Sequence, residues 1–70
     1  MYENTLDKLK GRYCKIVLEE PGKKKASVLF ELLKDVDHKK DFVIIESSDG
    51  LGIVNKNFIV AIKTTKKKIL

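Results

Sequence analysis

The stretch of this chain best suited to chemistry is Asn55-Lys56-Asn57, set between the apolar runs Ile53-Val54 and Phe58-Ile59-Val60-Ala61-Ile62. Each asparagine amide offers both donors and an acceptor, and the lysine offers positive charge. Single-stranded RNA is read by stacking, by amide hydrogen bonds to base edges and by lysine contacts to phosphate. The triplet suits that ligand. It must also form a tight corner, because the gap between the two runs is short and holds no glycine. Asparagine tolerates the left-handed backbone that such a corner demands, so it is expected to serve where glycine is missing.

Competing chemistry is sparse. His38 is the only histidine and Cys14 the only cysteine, so no internal disulfide and no Cys/His zinc set can form. No Ser-His-Asp set, Cys-His pair or glycine-rich phosphate loop stands out, and the carboxylates scatter over strand ends and turns. The expectation is a binding protein, not an enzyme, without a cofactor. Cys14 reads as a packed thiol, and His38 as a solvated loop residue.

The elements around the corner must position it. Seventy residues give one domain, residues 1–70, near the lower limit for a self-sufficient core. A chain this small needs a staple, and without disulfide or zinc the remaining support is oligomerisation. Hydrophobic residues make up 43% and charged residues 36%, which places the chain among folded globular domains. The net charge of +5 favours a polyanionic partner, although surface lysines also serve solubility alone. The apolar runs are far shorter than the roughly 20 residues of a spanning helix. With no secretory signal either, a cytoplasmic location and no membrane partner are expected.

Residues 2–10 read as a short helix, with Tyr2, Leu6 and Leu9 on one face, Asn4 as a cap, Asp7 in the first turn and Gly11 at its end. Residues 12–19 read as a strand that points Cys14, Ile16 and Leu18 one way. Glu20-Pro21-Gly22 marks a turn. Residues 26–36 carry helical spacing at Leu29, Leu32 and Leu33, yet the meander around them favours a strand that bends near Glu31. Residues 41–46, 51–55 and 58–63 supply three more strands, the first apolar on both faces. In the last, Phe58, Val60 and Ile62 share a face, which leaves Ile59 and Ala61 outward as a surface for a second subunit. Residues 64–70 form a basic tail that is expected to fray. The runs Lys23–Lys25 and Lys66–Lys68 read as solvated charge or as a nonspecific RNA rim. Five short antiparallel strands leave two unpaired edges unless the sheet closes. The expected fold is therefore mainly β: a short N-terminal helix, then a strongly bent five-stranded barrel.

This order of elements resembles the Sm-like and Hfq-like RNA-binding family. Two stretches carry the likeness. Asp37 to Ile44, DHKKDFVI, is similar to the family's first signature: an aspartate, three variable residues, an asparagine, then an apolar run. Asp41 stands where the asparagine is usual. VNKNFIVAI is similar to the second signature, whose Hfq-like form reads Tyr-Lys-His before an apolar strand. Lys56 matches that lysine, Asn57 replaces the histidine and Asn55 the tyrosine. Glu31 stands where a glycine is common. The resemblance implies an SH3-like Sm-fold barrel, a hexameric or heptameric ring, and corners lining a central pore beside the loop after the second strand. It thereby adds Lys40, Asp41 and Phe42 to Asn55, Lys56 and Asn57 as candidate RNA-binding residues. Lys40 would add charge. Asp41 would accept from a base N–H or pair with Lys40 or Lys56. Phe42 reads as core before it reads as a stacking platform.

The expected function is RNA binding: a homo-oligomeric ring holding single-stranded, U- or A-rich RNA as a chaperone or scaffold. Two rivals stand beside it. One is a monomeric SH3-like basic module on duplex DNA, with a steep salt dependence and no base preference. The other is an adaptor that binds another protein through the outward apolar face of its last strand.

Overall fold

In the computed structural model, residues 3–66 are described. Leu6 is the anchor of the N-terminal segment. It is fully buried among Cys14, Ile16, Leu18, Leu33 and Val43, and that burial sets how the helix lies. The helix α1 spans Glu3–Asp7, shorter than the 2–10 expected, and Tyr2 lies outside the described residues. Asn4 falls inside the helix instead of capping it. Beyond Asp7 the chain tightens into turns, with Lys8, Leu9 and Lys10 each donating to the carbonyl three residues back. Gly11 ends the segment at φ 82°, a conformation costly for any residue with a Cβ. Its amide donates to the Leu33 carbonyl at 2.7 Å and so ties α1 to the sheet.

Five antiparallel strands follow: β1 Arg12–Leu18, β2 Ser27–Asp37, β3 Phe42–Ser47, β4 Gly50–Asn55 and β5 Ile59–Thr64. A 3₁₀ turn, η1 Lys56–Phe58, joins β4 to β5. The strand order is β4-β3-β2-β1-β5. β4 and β5 are thus opposite edges of one sheet although only three residues separate them in sequence. The sheet must curl until those edges meet at one corner, which is η1. The hydrogen-bonded ladder stays open between them, so the closed barrel expected from strand count is not formed by pairing.

Alternation explains β1. Cys14, Ile16 and Leu18 enter the core while their neighbours stay half-buried or exposed, as the period of two requires. The Cys14 thiol packs as expected. Burial pushes its pKa up, and its Sγ lies 3.5 Å from the Arg12 carbonyl. The second long segment is a strand, not a helix, because it pairs on both sides, with β1 and with β3.

Two bulges then re-aim side chains. In β2 the register slips between Leu33 and Asp35, which leaves Lys34 as the extra residue. Leu29 and Leu33 face the core before the slip and Val36 after it. The irregularity of β2 therefore lies three residues beyond Glu31, where the bend was expected. In β5 the register slips between the partners of Val17 and Leu18, namely Ala61 and Ile59, with Val60 unpaired. This reverses the facing expected at the start of that strand. Ile59 packs on the core with Phe58 and Ile62, and Val60 is 53% exposed. A bulge inserts one residue and so inverts the alternation on one side of it.

On β3 none of the six residues is exposed, in line with a strand covered on both faces. On β4, Leu51 and Ile53 are 65% and 68% exposed. The basic tail starts later than expected: Thr64 belongs to β5, and the Thr65 amide donates to the Tyr13 carbonyl at 2.8 Å. Lys67 and Lys68 lie outside the described residues. Among the described residues, no helix is long and apolar enough to cross a membrane.

Candidate nucleic-acid interface

The corner at η1 is built by its own side chains. Asn55, the last residue of β4, turns its Oδ1 back to accept from the Asn57 amide at 2.8 Å and thereby caps the 3₁₀ turn. Its backbone is extended at φ −67° and ψ 122°. The corner therefore needs no left-handed residue, contrary to the expectation for its asparagines. A capping side chain satisfies the free amide of a tight turn without glycine. The Phe58 carbonyl then accepts from the Glu19 amide at 2.9 Å, which fastens the far side of the corner to the end of β1.

The left-handed residue sits across from it. Asp41 has φ 60° and closes the turn between β2 and β3. That turn is held by the Asp37 carboxylate, which accepts from the amides of Lys39 and Lys40, each at 3.0 Å. Asp41 joins turn and corner through both its backbone and its side chain. The Lys56 amide donates to the Asp41 carbonyl at 2.8 Å, and the Lys56 Nζ lies 3.6 Å from Asp41 Oδ1. The Lys56 side chain is only 15% exposed, so its ammonium is partly withdrawn from water and its charge is less screened.

Phe42 follows Asp41 and pairs with Asn55 across β3 and β4. It points away from the buried Val43 and is half-buried outside the core cluster. The reading of Phe42 as core is therefore corrected. The structure brings Asp41, Phe42, Asn55 and Lys56 to one corner. Asn57 is exposed on the turn itself. Lys40 is exposed beside Asp41, and no described contact draws it to the corner.

His38 is the residue that sequence reasoning missed. Its ring lies between two elements, with Nε2 3.0 Å from Asp7 Oδ1 and Nδ1 3.3 Å from Lys56 Nζ. It is 27% exposed, not a solvated loop residue. The hydrogen bond from His38 holds the Asp7 carboxyl below its ordinary value; burial opposes it, and the charges of His38 and Lys10 add to the lowering. Lys10 extends the chain, 3.6 Å from Asp7 and 3.7 Å from Asp35. A helix residue, a turn histidine and a corner lysine are far apart in sequence, and no local spacing could have joined them.

The arrangement provides two amides, a partly desolvated ammonium, an aromatic ring and a carboxylate on one corner. Such a set can bind a base edge and a phosphate together. Among the described residues, no three His, Cys, Asp or Glu side chains gather as metal ligands. Comparison of the chain with family models, curated proteins and solved structures yields no match.

Proposed function

We propose that this chain is an Sm-like, Hfq-like RNA-binding subunit: a strongly bent, barrel-like sheet that assembles into a ring and holds single-stranded U- or A-rich RNA at its corners. The observation that carries this reading is the corner itself, where Lys56, Asn55, Phe42 and Asp41 converge on the one turn that joins the sheet's two edges. A repeated corner would multiply Lys56 around a pore and build a strong positive field.

The sheet edges support assembly. β4 and β5 are both open, and apolar side chains stand exposed near them, Leu51 and Ile53 on one and Val60 on the other. Pairing the β4 edge of one copy with the β5 edge of the next is a head-to-tail contact, and such contacts close into rings when the rotation allows. It would also cover edges that otherwise invite aggregation. The ring then acts by sheltering or pairing RNAs.

The decisive experiment is mass in solution at moderate salt, followed by oligo-U and oligo-A titrations of the wild type and Lys56→Ala. A hexamer or heptamer whose binding weakens in the variant supports the reading. A monomer, or binding to duplex and single strand alike that vanishes with salt, overturns it in favour of a charge-driven module.

A further inference from the structure

His38 stands between opposite charges in a definite hydrogen-bond order. The Lys56 ammonium is a donor only, so at 3.3 Å from His38 Nδ1 it requires that nitrogen to be a bare acceptor. The proton of the neutral ring then sits on Nε2 and is donated to Asp7 Oδ1 at 3.0 Å. The order runs from lysine to imidazole to carboxylate, each link supplying what the next accepts. Among the described contacts, the charged groups facing the ring are Asp7 of α1, Lys56 of η1 and, through Lys56, Asp41 of the β2–β3 turn. Lys10 and Asp35 lie behind Asp7.

We propose that His38 is a positioning residue for Lys56 and a proton-operated latch on this corner. Neutral, it draws the lysine ammonium inward; protonated, it releases that ammonium toward a phosphate. This rests on the reading of the corner as the RNA contact. The physical step is simple. A proton on Nδ1 turns the acceptor into a donor, so two positive donors face each other at hydrogen-bond distance. The link to Lys56 breaks, while the link to Asp7 becomes a salt bridge and keeps the ring in place. Lys56 keeps Asp41 as its neighbour and gains freedom to reach a ligand. By linkage, an RNA phosphate captured by Lys56 favours proton uptake at His38 to the same extent.

The test has two arms on the intact chain. In the first, nuclear magnetic resonance of the ring nitrogens and of the Lys56 side chain is followed between about pH 5 and about pH 8, the span in which histidine titrates. The expected result is the Nε2–H form at the upper end and Lys56 signals that shift with the same midpoint as His38. An Nδ1–H ring, or Lys56 signals that ignore the His38 titration, overturns the latch. This arm needs no RNA, so it decides the proposal even if the RNA reading fails.

In the second arm, oligo-U affinity is measured across the same range at constant ionic strength. The wild type is expected to gain roughly fivefold on acidification, the scale of one freed charge-assisted contact. His38→Gln, neutral throughout, should be flat. Lys56→Ala should also be flat, because the ring's own charge faces Asp7. A gain that survives in Lys56→Ala shows added charge without release and overturns the latch. Absence of oligo-U binding at every pH overturns the RNA reading, and the resonance arm then stands alone.

Discussion

The Lys56 backbone N–H donates to the Asp41 carbonyl at 2.8 Å, and the Lys56 ammonium lies 3.6 Å from the Asp41 carboxylate. One residue of η1 is thus fastened twice to Asp41, and its ammonium also reaches His38 of the same turn. The backbone bond survives any side-chain change, so Lys56→Ala should fold normally. It is expected to weaken oligo-U binding roughly fivefold per site at the acidic end of the titration, where His38 is protonated and the Lys56 contact is made. The salt slope of binding should fall with it, which a titration at several ionic strengths measures.

Asp41 adds a backbone constraint at φ 60°. Asparagine tolerates that conformation and a β-branched residue does not. Asp41→Asn should keep the fold, whereas Asp41→Val should lose about 1–2 kcal/mol, the cost of a left-handed residue with a bulky Cβ. Urea unfolding of the two variants checks the difference.

Glu31 lies opposite Cys14 in the β1–β2 ladder, and its Oε1 is buried with no hydrogen-bond partner among the described residues. A buried acceptor without a partner is a desolvation cost that an apolar side chain of similar shape removes. Glu31→Met is expected to raise stability by about 1 kcal/mol. A midpoint that falls in urea would show that the carboxylate serves the fold.

Asp7 sets the acid limit. Its folded-state pKa lies below the ordinary 3.8, chiefly through the hydrogen bond to His38. Its contribution to stability is complete above that ordinary value and is lost as the pH falls through the lower, folded one. The wild type should therefore lose stability more steeply than Asp7→Asn as the pH drops below about 4. Denaturant midpoints at a series of pH values read this directly.

Ile53 is exposed on the β4 edge strand opposite Ile44. If that edge meets β5 of a neighbour, Ile53→Lys places a charge against the contact and should reduce the mass in solution. The circular dichroism of the chain should stay unchanged, because Ile53 lies outside the core.

Much of the fold was legible because β-structure repeats every two residues. That period identified β1 from Cys14, Ile16 and Leu18, and turn chemistry at Glu20-Pro21-Gly22 separated β1 from β2. The corner at Asn55-Lys56-Asn57 was visible as a polar break between apolar runs. Its mechanism was not, because a capping asparagine and a left-handed one look alike in sequence.

What the sequence alone determined was local: which segments extend, where they turn and which residues of β1 face inward. The tertiary structure decided the rest. Val60 and Lys34 became bulge residues because strand registers must reconcile partners on both sides of a curled sheet, and no single strand encodes that compromise. His38 left the solvent because the same curl brings α1, the β2–β3 turn and η1 together, and a hydrogen-bonded chain between Asp7 and Lys56 exists only once all three have met.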